Sequence, residues 1–364
     1  MMDKMVFMKN GKISRSFYVL LYLLTGFFSQ LYAVNISFEK TFEYRVDSLA
    51  KVRLSNQHGN INITFADIDS IYINAELSVD LDLASDSATF FTHINYAVSG
   101  SSKKIDIELI VDPDYASNYL YDSEINIKAP AYLLWNITNR FGDAYFNGPL
   151  TIQSLTIDYG KLHGTELHAQ PQRVSSLTLF QSDVTLQHIA NALIHCENSV
   201  VTVNTIDEAV IKSEFSTWSV QQGKDLNITT ETDNFNINNA GSIKLSGMYS
   251  EFTIGNVTQN LETVLHYGKF QLTNEKPGFQ SINIDHNNVF TNLAFLQTTS
   301  FNLNADIKYC ELVVDQGLSS SFRTIEDGAS RIINGVVGSN ADTESAVTVI
   351  GRFENINLSL ADKK

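Results

Sequence analysis

Four acidic residues have the types and spacing that could perform acid–base chemistry. Asp183 with Glu197, and Asp233 with Glu251, are the candidate pairs. Two carboxyl groups held in one groove can serve as general acid and general base on a glycosidic bond. Enzymes of the β-helix type, such as polysaccharide lyases and glycoside hydrolases, gather such groups on one face across adjacent coils. The sequence therefore leaves a carbohydrate-active enzyme as an alternative to the simpler interpretation, which is that these are surface carboxylates of an acidic protein.

Histidine, cysteine and serine residues form no recognisable reactive motif. The eight histidines build neither H-E-x-x-H nor a paired C-x-x-C pattern, which closed zinc sites use. A G-x-S-x-G nucleophile elbow is absent, and "GKDLN" at residue 223 lacks the upstream glycines of a P-loop. The sequence therefore predicts no catalytic residue, no metal ligand, no cofactor-binding residue and no cofactor.

Small residues recur with a regular spacing through the middle of the chain, and we call them marker residues. Six of them are separated by 17, 17, 17, 17 and 18 residues: Ser182, Ser199, Ser216, Asp233, Ser250 and Gly268. Looser members are Gly142, Gly160, Asn287 and Cys310. Gly tolerates positive φ, whereas Ser, Asp and Asn can bond their own backbone at a bend, so each marker predicts a turn.

Apolar residues keep the same period on both sides of the markers. Two residues after the marker come Val184, Val201, Trp218, Phe235, Phe252, Phe270 and Leu312. Four residues after it come Leu186, Val203, Val220, Ile237, Ile254, Leu272 and Val314. Five residues before it come Leu177, Ile194, Ile211, Ile228 and Leu245, with Ile282 later. These columns predict strands that contribute equivalent residues to one core.

The period predicts an all-β fold, a β-solenoid of the β-helix kind with coils of about 17 residues. Seventeen residues at about 3.3 Å each give a contour of roughly 56 Å, which suits one flattened coil stacked about 4.8 Å from the next. Parallel stacking would place Trp218, Phe235, Phe252 and Phe270 above one another as a core aromatic ladder. A β-meander of hairpins with the same period is the alternative.

The two cysteines, Cys196 and Cys310, are predicted to be free and mostly buried. An even number of cysteines in an exported chain suggests a disulfide. The register separates them by about six coils, or roughly 29 Å, well beyond the limit of about 7 Å between the Cα atoms of a disulfide.

Four segments follow from these patterns: a signal peptide (1–33), an N-terminal β region or cap (34–130), the solenoid coils (131–318), and a C-terminal loop with closing strands (319–364). The first has a basic start, an apolar run "FYVLLYLLTGFF" and "LYA" before a cleavage point at Ala33. An uncleaved N-terminal anchor is the alternative. The irregular β segments at both ends would cap the exposed edges of the stack.

The net negative charge of the chain excludes some classes of binding partner. The 364-residue chain has a net charge of −15, and because residues 1–33 carry +3, the rest carries −18. Such a surface repels nucleic acid and anionic lipid. The sequence predicts no nucleic-acid partner, and contact with a membrane only transiently through the signal peptide.

Three stretches resemble a bacterial family of exported β-strand-repeat proteins of unknown function, described as adhesin-like. They are "LSNQHGNINITFADIDSIYINAEL" (54–77), "INIKAPAYLLWNITNRFGDAYFNG" (125–148) and "AVTVIGRFENINLSL" (346–360). The resemblance spans most of residues 40–360 and rests on strand and turn patterns. It implies an exported, solenoid-like β architecture of the bacterial envelope, and it brings no catalytic residues.

The sequence as a whole favours a non-enzymatic, exported β-solenoid that acts as an adhesin-like or cell-envelope interaction or structural protein. Its location would be the periplasm, the cell surface or the extracellular space. Candidate partners are an envelope or extracellular protein, or a glycan. A carbohydrate-active β-helix enzyme and a periplasmic accessory protein are the alternatives.

Overall fold

The computed structural model describes residues 34–81, 87–116, 119–169 and 176–361. The predicted signal peptide, residues 1–33, lies outside the described residues. Strands contain 76% of the described residues, so the predicted all-β class is confirmed. Two short helices interrupt the N-terminal region, α1 (Ser87–His93) and α2 (Pro113–Ala116).

The strands follow one another through the whole described chain. The N-terminal strands are β1 (Val34–Arg45), β2 (Lys51–Gln57), β3 (Gly59–Phe65), β4 (Ser70–Leu81), β5 (Ile94–Ser101), β6 (Lys104–Val111) and β7 (Tyr121–Ala129). The central strands are β8 (Leu134–Arg140), β9 (Ala144–Asp158), β10 (Lys161–Ala169), β11 (Ser176–Phe180), β12 (Asp183–Glu197), β13 (Val200–Glu214), β14 (Thr217–Glu231), β15 (Asn234–Asn274), β16 (Ser281–Phe295) and β17 (Phe301–Lys308). The C-terminal strands are β18 (Leu312–Val314), β19 (Ser320–Asp327), β20 (Ser330–Val337), β21 (Ala346–Arg352) and β22 (Ile356–Leu360).

The central strands pair in parallel, and their register joins residues one marker spacing apart. Val184 of β12 lies beside Val201 of β13, Val201 beside Trp218 of β14, and Trp218 beside Phe235 of β15. This stacking places equivalent side chains over one another in the buried core. The ring centroids are 5.5 Å apart for Trp218 and Phe235, and 5.3 Å for Phe235 and Phe252. These distances match the spacing between neighbouring strands, so the stacked rings follow directly from the parallel register.

A corner with left-handed backbone lies between successive central strands, once in each repeat. The residues with positive φ at these corners, in stacking order, are His58, Phe141, Tyr159, Gln181, Asn198, Phe215, Thr232, Tyr249, Tyr267, Asn288, Phe353 and Tyr309. Each lies one position before the marker, or before the residue that stands in its place. The markers therefore lie at the bend, as the sequence predicts, but among them only Gly268 has positive φ, at 151°.

The side chains of the markers stabilise the corner through hydrogen bonds. The N–H of Ser182 donates to Ser199 Oγ at 3.0 Å, that of Ser199 to Ser216 Oγ at 3.1 Å, and that of Asp233 to Ser250 Oγ at 3.1 Å. The four serine hydroxyls also donate, at 2.8 to 2.9 Å, to the carbonyl two residues earlier. These bonds satisfy the buried polar groups that a bend leaves without strand partners.

The register shifts after Gly268. The backbone has positive φ at Asn288, and Gly268 pairs with Val289, so the assignment of Asn287 as a marker is wrong by two residues. Consequently Thr291, not an apolar residue, continues the column of Phe270. Valine lacks the small polar character that identifies the other markers in the sequence.

The two ends of the stack have different strand pairings. At the N-terminal end, β1 pairs with β4 and β4 with β7, all antiparallel, while β2 and β3 lie parallel to β8 and β9. At the C-terminal end, β21 lies between β16 and β17, parallel to both. The polar segment that follows β18 contains β19 and β20, which pair antiparallel and extend beyond β17.

The cysteine prediction holds within the described chain, since Cys196 and Cys310 are both free. Cys196 is buried, whereas Cys310 is half-buried at a corner directly after Tyr309. Burial raises the pKa of both thiols above the ordinary value.

Candidate functional site

The four candidate acidic residues lie in different surroundings. Asp183 and Glu197 are exposed at opposite ends of β12, where Asp183 pairs with Val200 and Glu197 with Glu214. Asp233 is buried, whereas Glu251 is exposed on the outer surface. Since a strand directs alternate side chains to opposite faces of the sheet, Asp233 and Glu251 cannot converge on one substrate.

Asp233 instead takes the place of a serine in the line of marker hydrogen bonds. Its carboxylate accepts hydrogen bonds from the N–H of Ser216 and from the hydroxyl of Thr230. Burial raises the pKa of Asp233, because removing the carboxylate from water disfavours its charged form. This carboxylate faces the core, so its surroundings give it a structural role.

The histidines are structural or lie at the surface. His286 is buried between the hydroxyls of Thr263 and Thr291, at 2.9 Å and 2.7 Å. Burial lowers the pKa of His286 to about 3, so it is neutral at physiological pH. On the outer surface, Glu166 lies 2.8 Å from His168 and 3.3 Å from His188. No group of three or more His, Cys, Asp and Glu side chains in the described part of the chain could hold a metal ion.

The most distinctive surface feature is a line of exposed aromatic side chains along the corners. We call it the aromatic ridge, and its members are His58, Phe141, Tyr159, Phe215, Tyr249, Tyr267, Tyr309 and Phe353. The Phe and Tyr residues of the ridge are 45% to 58% exposed, from Tyr159 to Tyr309. The ridge runs across neighbouring strands because the residues with positive φ occupy equivalent positions of the parallel register.

Stacking joins most members of the ridge into short runs. The ring centroids are 4.9 Å apart for His58 and Phe141, and 5.1 Å for Phe141 and Tyr159. Tyr249 and Tyr267 stack at 5.2 Å with an interplanar angle of 11°. Such pairs contribute about 0.5–1.5 kcal/mol each, which offsets part of the cost of positive φ in an L-residue, roughly 1–2 kcal/mol.

Phe215 lies at a gap in this stacking. Its neighbours along the ridge are Asn198 and Thr232, and no ring contact of Phe215 occurs among the described residues. Its side chain is 55% exposed. Neither face of this ring is therefore covered by another ring of the ridge.

A row of three glutamates runs beside Phe215, and we call it the glutamate row. Glu197 pairs with Glu214, and Glu214 with Glu231, so the three carboxylates occupy one position in three successive coils. All three are exposed, and none forms an ion pair within the described residues. Neighbouring carboxylates about 5 Å apart repel by about 1 kcal/mol in water, and like charges directly opposite destabilise a sheet.

The ridge was not predicted, although the sequence contains its signal. Aromatic residues recur directly before several markers, as Tyr249 before Ser250 and Tyr267 before Gly268. Small residues are the usual indication of a bend, whereas aromatic residues are uncommon at positive φ, so the markers and not their neighbours were assigned to it. The signal in the sequence is that aromatic residues recur with the same period as the core columns.

Within the described residues, no helix is long and apolar enough to cross a membrane. No sequence-family profile matches the chain, and no curated protein sequence matches it.

Several solved structures match much of the chain at low sequence identity and low TM-score. A candidate adhesin from Bacteroides fragilis is 15% identical and covers 65% of this chain and 97% of its own, with a TM-score of 0.30. A candidate cell adhesion protein from Clostridium sporogenes is 8% identical, covering 89% and 100%, with a TM-score of 0.18. A candidate lipid-binding protein from Parabacteroides distasonis is 7% identical, covering 88% and 96%, with a TM-score of 0.27. TM-scores this low carry no argument about function.

Proposed function

We propose that the protein is an exported, non-enzymatic β-solenoid that acts as an adhesin-like or cell-envelope interaction protein. The observation that carries this proposal is the aromatic ridge, an interrupted line of half-exposed rings at the corners. A stack of coils holds such a line at a fixed spacing, so the partner would meet a rigid surface.

The parallel register supports the solenoid interpretation. Partners 17 residues apart, such as Thr202 and Ser219, lie side by side, as successive turns of one coil require. The hairpins of a β-meander would pair antiparallel instead. The antiparallel strands β1 and β4 at one end, and β19 and β20 at the other, would then act as caps that hide the terminal coils.

The choice of residues at the corners supports a binding role for the ridge. Asn198 and Asn288 hold the same left-handed corner with a side chain that tolerates it well. The chain nevertheless places aromatic rings at most other corners and leaves them half exposed. A half-exposed aromatic ring presents about 100 Å², so the rings of the ridge together present several hundred Å² of apolar surface, divided into short runs.

The charged surface near the corners does not favour the enzyme alternative. Asp183 and Glu197 lie on the two arms that meet at a convex corner, and Asp233 faces the core. A glycoside hydrolase needs two carboxyl groups on either side of one bond. The proposed function therefore relies on surface contacts alone.

The proposal is tested with a ridge variant and a matched surface variant. In F215N/Y249N, Asn replaces two ridge residues, as the chain itself does at other corners. In Y72N/F290N, two aromatic residues outside the ridge with somewhat lower exposure, 43% and 45%, are replaced. Both are compared with the wild type on an array of glycans and purified extracellular proteins.

We expect the wild type and Y72N/F290N to bind the same array members, and F215N/Y249N to bind them at least about tenfold more weakly at an unchanged melting temperature. If the wild type binds nothing, or if F215N/Y249N binds as the wild type does, the proposal is wrong. A lower melting temperature with unchanged binding would give the ridge a structural role instead. Protease treatment of intact cells tests location, and complete protection of the protein would exclude adhesion at the cell surface.

A further inference from the structure

We infer that the aromatic ridge at Phe215 and the adjoining glutamate row bind a basic, extended polypeptide segment of a partner protein. This inference rests on the proposed function and specifies the chemistry of its partner. The site consists of Glu197, Glu214 and Glu231 on one side of the corner and the uncovered ring of Phe215 on the corner itself.

Other residues at the position of the glutamate row, in other coils, have partners of opposite charge or an aromatic partner. Two coils before Glu197, Asp158 forms an ion pair with Arg140 of the neighbouring coil at 3.0 Å. Near the other end of the stack, Lys308 occupies the equivalent position, and its Nζ lies 5.2 Å from the ring centroid of Tyr309. At both places the chain supplies its own cation, either to a carboxylate or to a ridge ring.

At Phe215 the chain supplies the carboxylates and the ring but no paired cation. The nearest basic side chains on this surface are Lys212 and His195, which line an open groove of about 380 Å³ together with the glutamate row. Neither forms an ion pair with the row in the described chain. Lys212 can neutralise at most one of three carboxylates, so the row keeps a net negative charge.

The missing component is a cation that reaches both the carboxylates and the ring. A lysine or arginine side chain does this, because its charged group binds a carboxylate or lies over an aromatic face while its alkyl part covers apolar surface. Three carboxylates in successive coils span about 10 Å, a length that fits several cationic side chains along one extended segment better than one small ion. The overall charge of −15 attracts such a partner and repels nucleic acid.

The test measures binding of a fluorescent decalysine peptide to the full chain by anisotropy. Its neutral counterpart is the same peptide with every lysine acetylated. The site variant is E197Q/E214Q/E231Q, and the control variant E39Q/E108Q/E344Q removes the same charge from three exposed glutamates elsewhere. A third variant, F215N, removes the ring and leaves the charge unchanged.

We expect E197Q/E214Q/E231Q to raise the Kd for decalysine at least about tenfold, and the control variant to change it less than about twofold. F215N should raise the Kd several-fold, and the acetylated peptide should not bind. Binding should weaken strongly at about 0.5 M salt, where exposed charges are screened.

Equal losses in the two triple variants would mean that the peptide recognises net charge alone, and the inference would be overturned. A Kd that is unchanged in all variants, or no binding of decalysine by the wild type, would overturn it as well. The proposed function would survive either result if F215N/Y249N still lost binding to the array members. Retained binding in that separate experiment would contradict the proposed function itself.

Discussion

Replacing Gly268 with alanine should destabilise the protein strongly, because Gly268 lies directly over a neighbouring coil. Its φ is 151°, a backbone conformation that L-residues rarely adopt. A Cβ there would overlap the carbonyl oxygen of Ser250 and lie 3.2 Å from the carbonyl carbon and from the amide nitrogen of that residue. These are backbone atoms in a hydrogen-bonded strand, so they cannot move aside as a flexible side chain could.

The magnitude follows from two contributions. Positive φ in a residue other than glycine costs about 1–3 kcal/mol. Moving the coil of Gly268 away from that of Ser250 would weaken one or two backbone hydrogen bonds, each about 1 kcal/mol. We therefore expect G268A to lower the free energy of unfolding by about 2–5 kcal/mol.

Gly278 provides the matched control. It also has positive φ, at 100°, but a Cβ added there would meet nothing within 4 Å. G278A should therefore cost only the backbone contribution, about 1 kcal/mol. Urea unfolding followed by circular dichroism measures both variants. If G268A costs no more than G278A, Gly268 does not pack against Ser250 and the register at this corner is wrong.

Three further predictions concern side chains that are buried or half-buried. The pKa of His286 is about 3 in the folded chain and 6.5 in the unfolded chain, so its contribution to the free energy of unfolding is complete above pH 6.5 and decreases by about 4 kcal/mol as pH falls towards 3. Urea unfolding at pH 7 and pH 4 should show this loss in the wild type and not in H286Q. The pKa of Asp233 is raised in the folded chain, so the stability that depends on this group is complete below its unfolded pKa and falls as pH rises through its folded pKa. At pH 7, D233S should therefore unfold at a higher urea concentration than the wild type. If the urea midpoints of the two differ as much at pH 3, the buried charge is not the cause. Mass spectrometry without reductant should find no link between Cys196 and Cys310, and both thiols should react with iodoacetamide after unfolding.

The sequence was sufficient to predict the stacking but not the details of each corner. Apolar residues two positions after the markers, such as Val201 and Trp218, are in register because a parallel stack aligns equal positions in neighbouring coils. The left-handed residue is harder to identify, because Tyr267 and Phe215 adopt a conformation that their side chains disfavour. The backbone dihedral angles of the structure are needed to show that the residue before the marker has positive φ.

Other features depend on contacts that sequence spacing does not encode. The strands β21 and β22 are last in the chain, yet β21 lies between β16 and β17, a non-local pairing that follows no period. Asp233 is aligned with the buried markers Ser216 and Ser250, so its position in this column predicts that it is buried. Its charge alone would predict an exposed side chain. The glutamate row, in contrast, does follow the period, because Glu197, Glu214 and Glu231 are each one 17-residue spacing apart.

The account depends on one central claim, that coils of 17 residues stack in parallel so that equivalent surface residues form straight lines. Engineered disulfides in a C196S/C310S background test it most directly. Thr202 and Ser219 are neighbours in adjacent strands and point outward, so T202C/S219C should oxidise quantitatively, since their Cα atoms would lie about 5 Å apart. Asn236 lies one coil further along, and T202C/N236C should stay reduced because about 10 Å separates that pair. A reduced T202C/S219C variant, or equal cross-linking in both variants, would contradict the account.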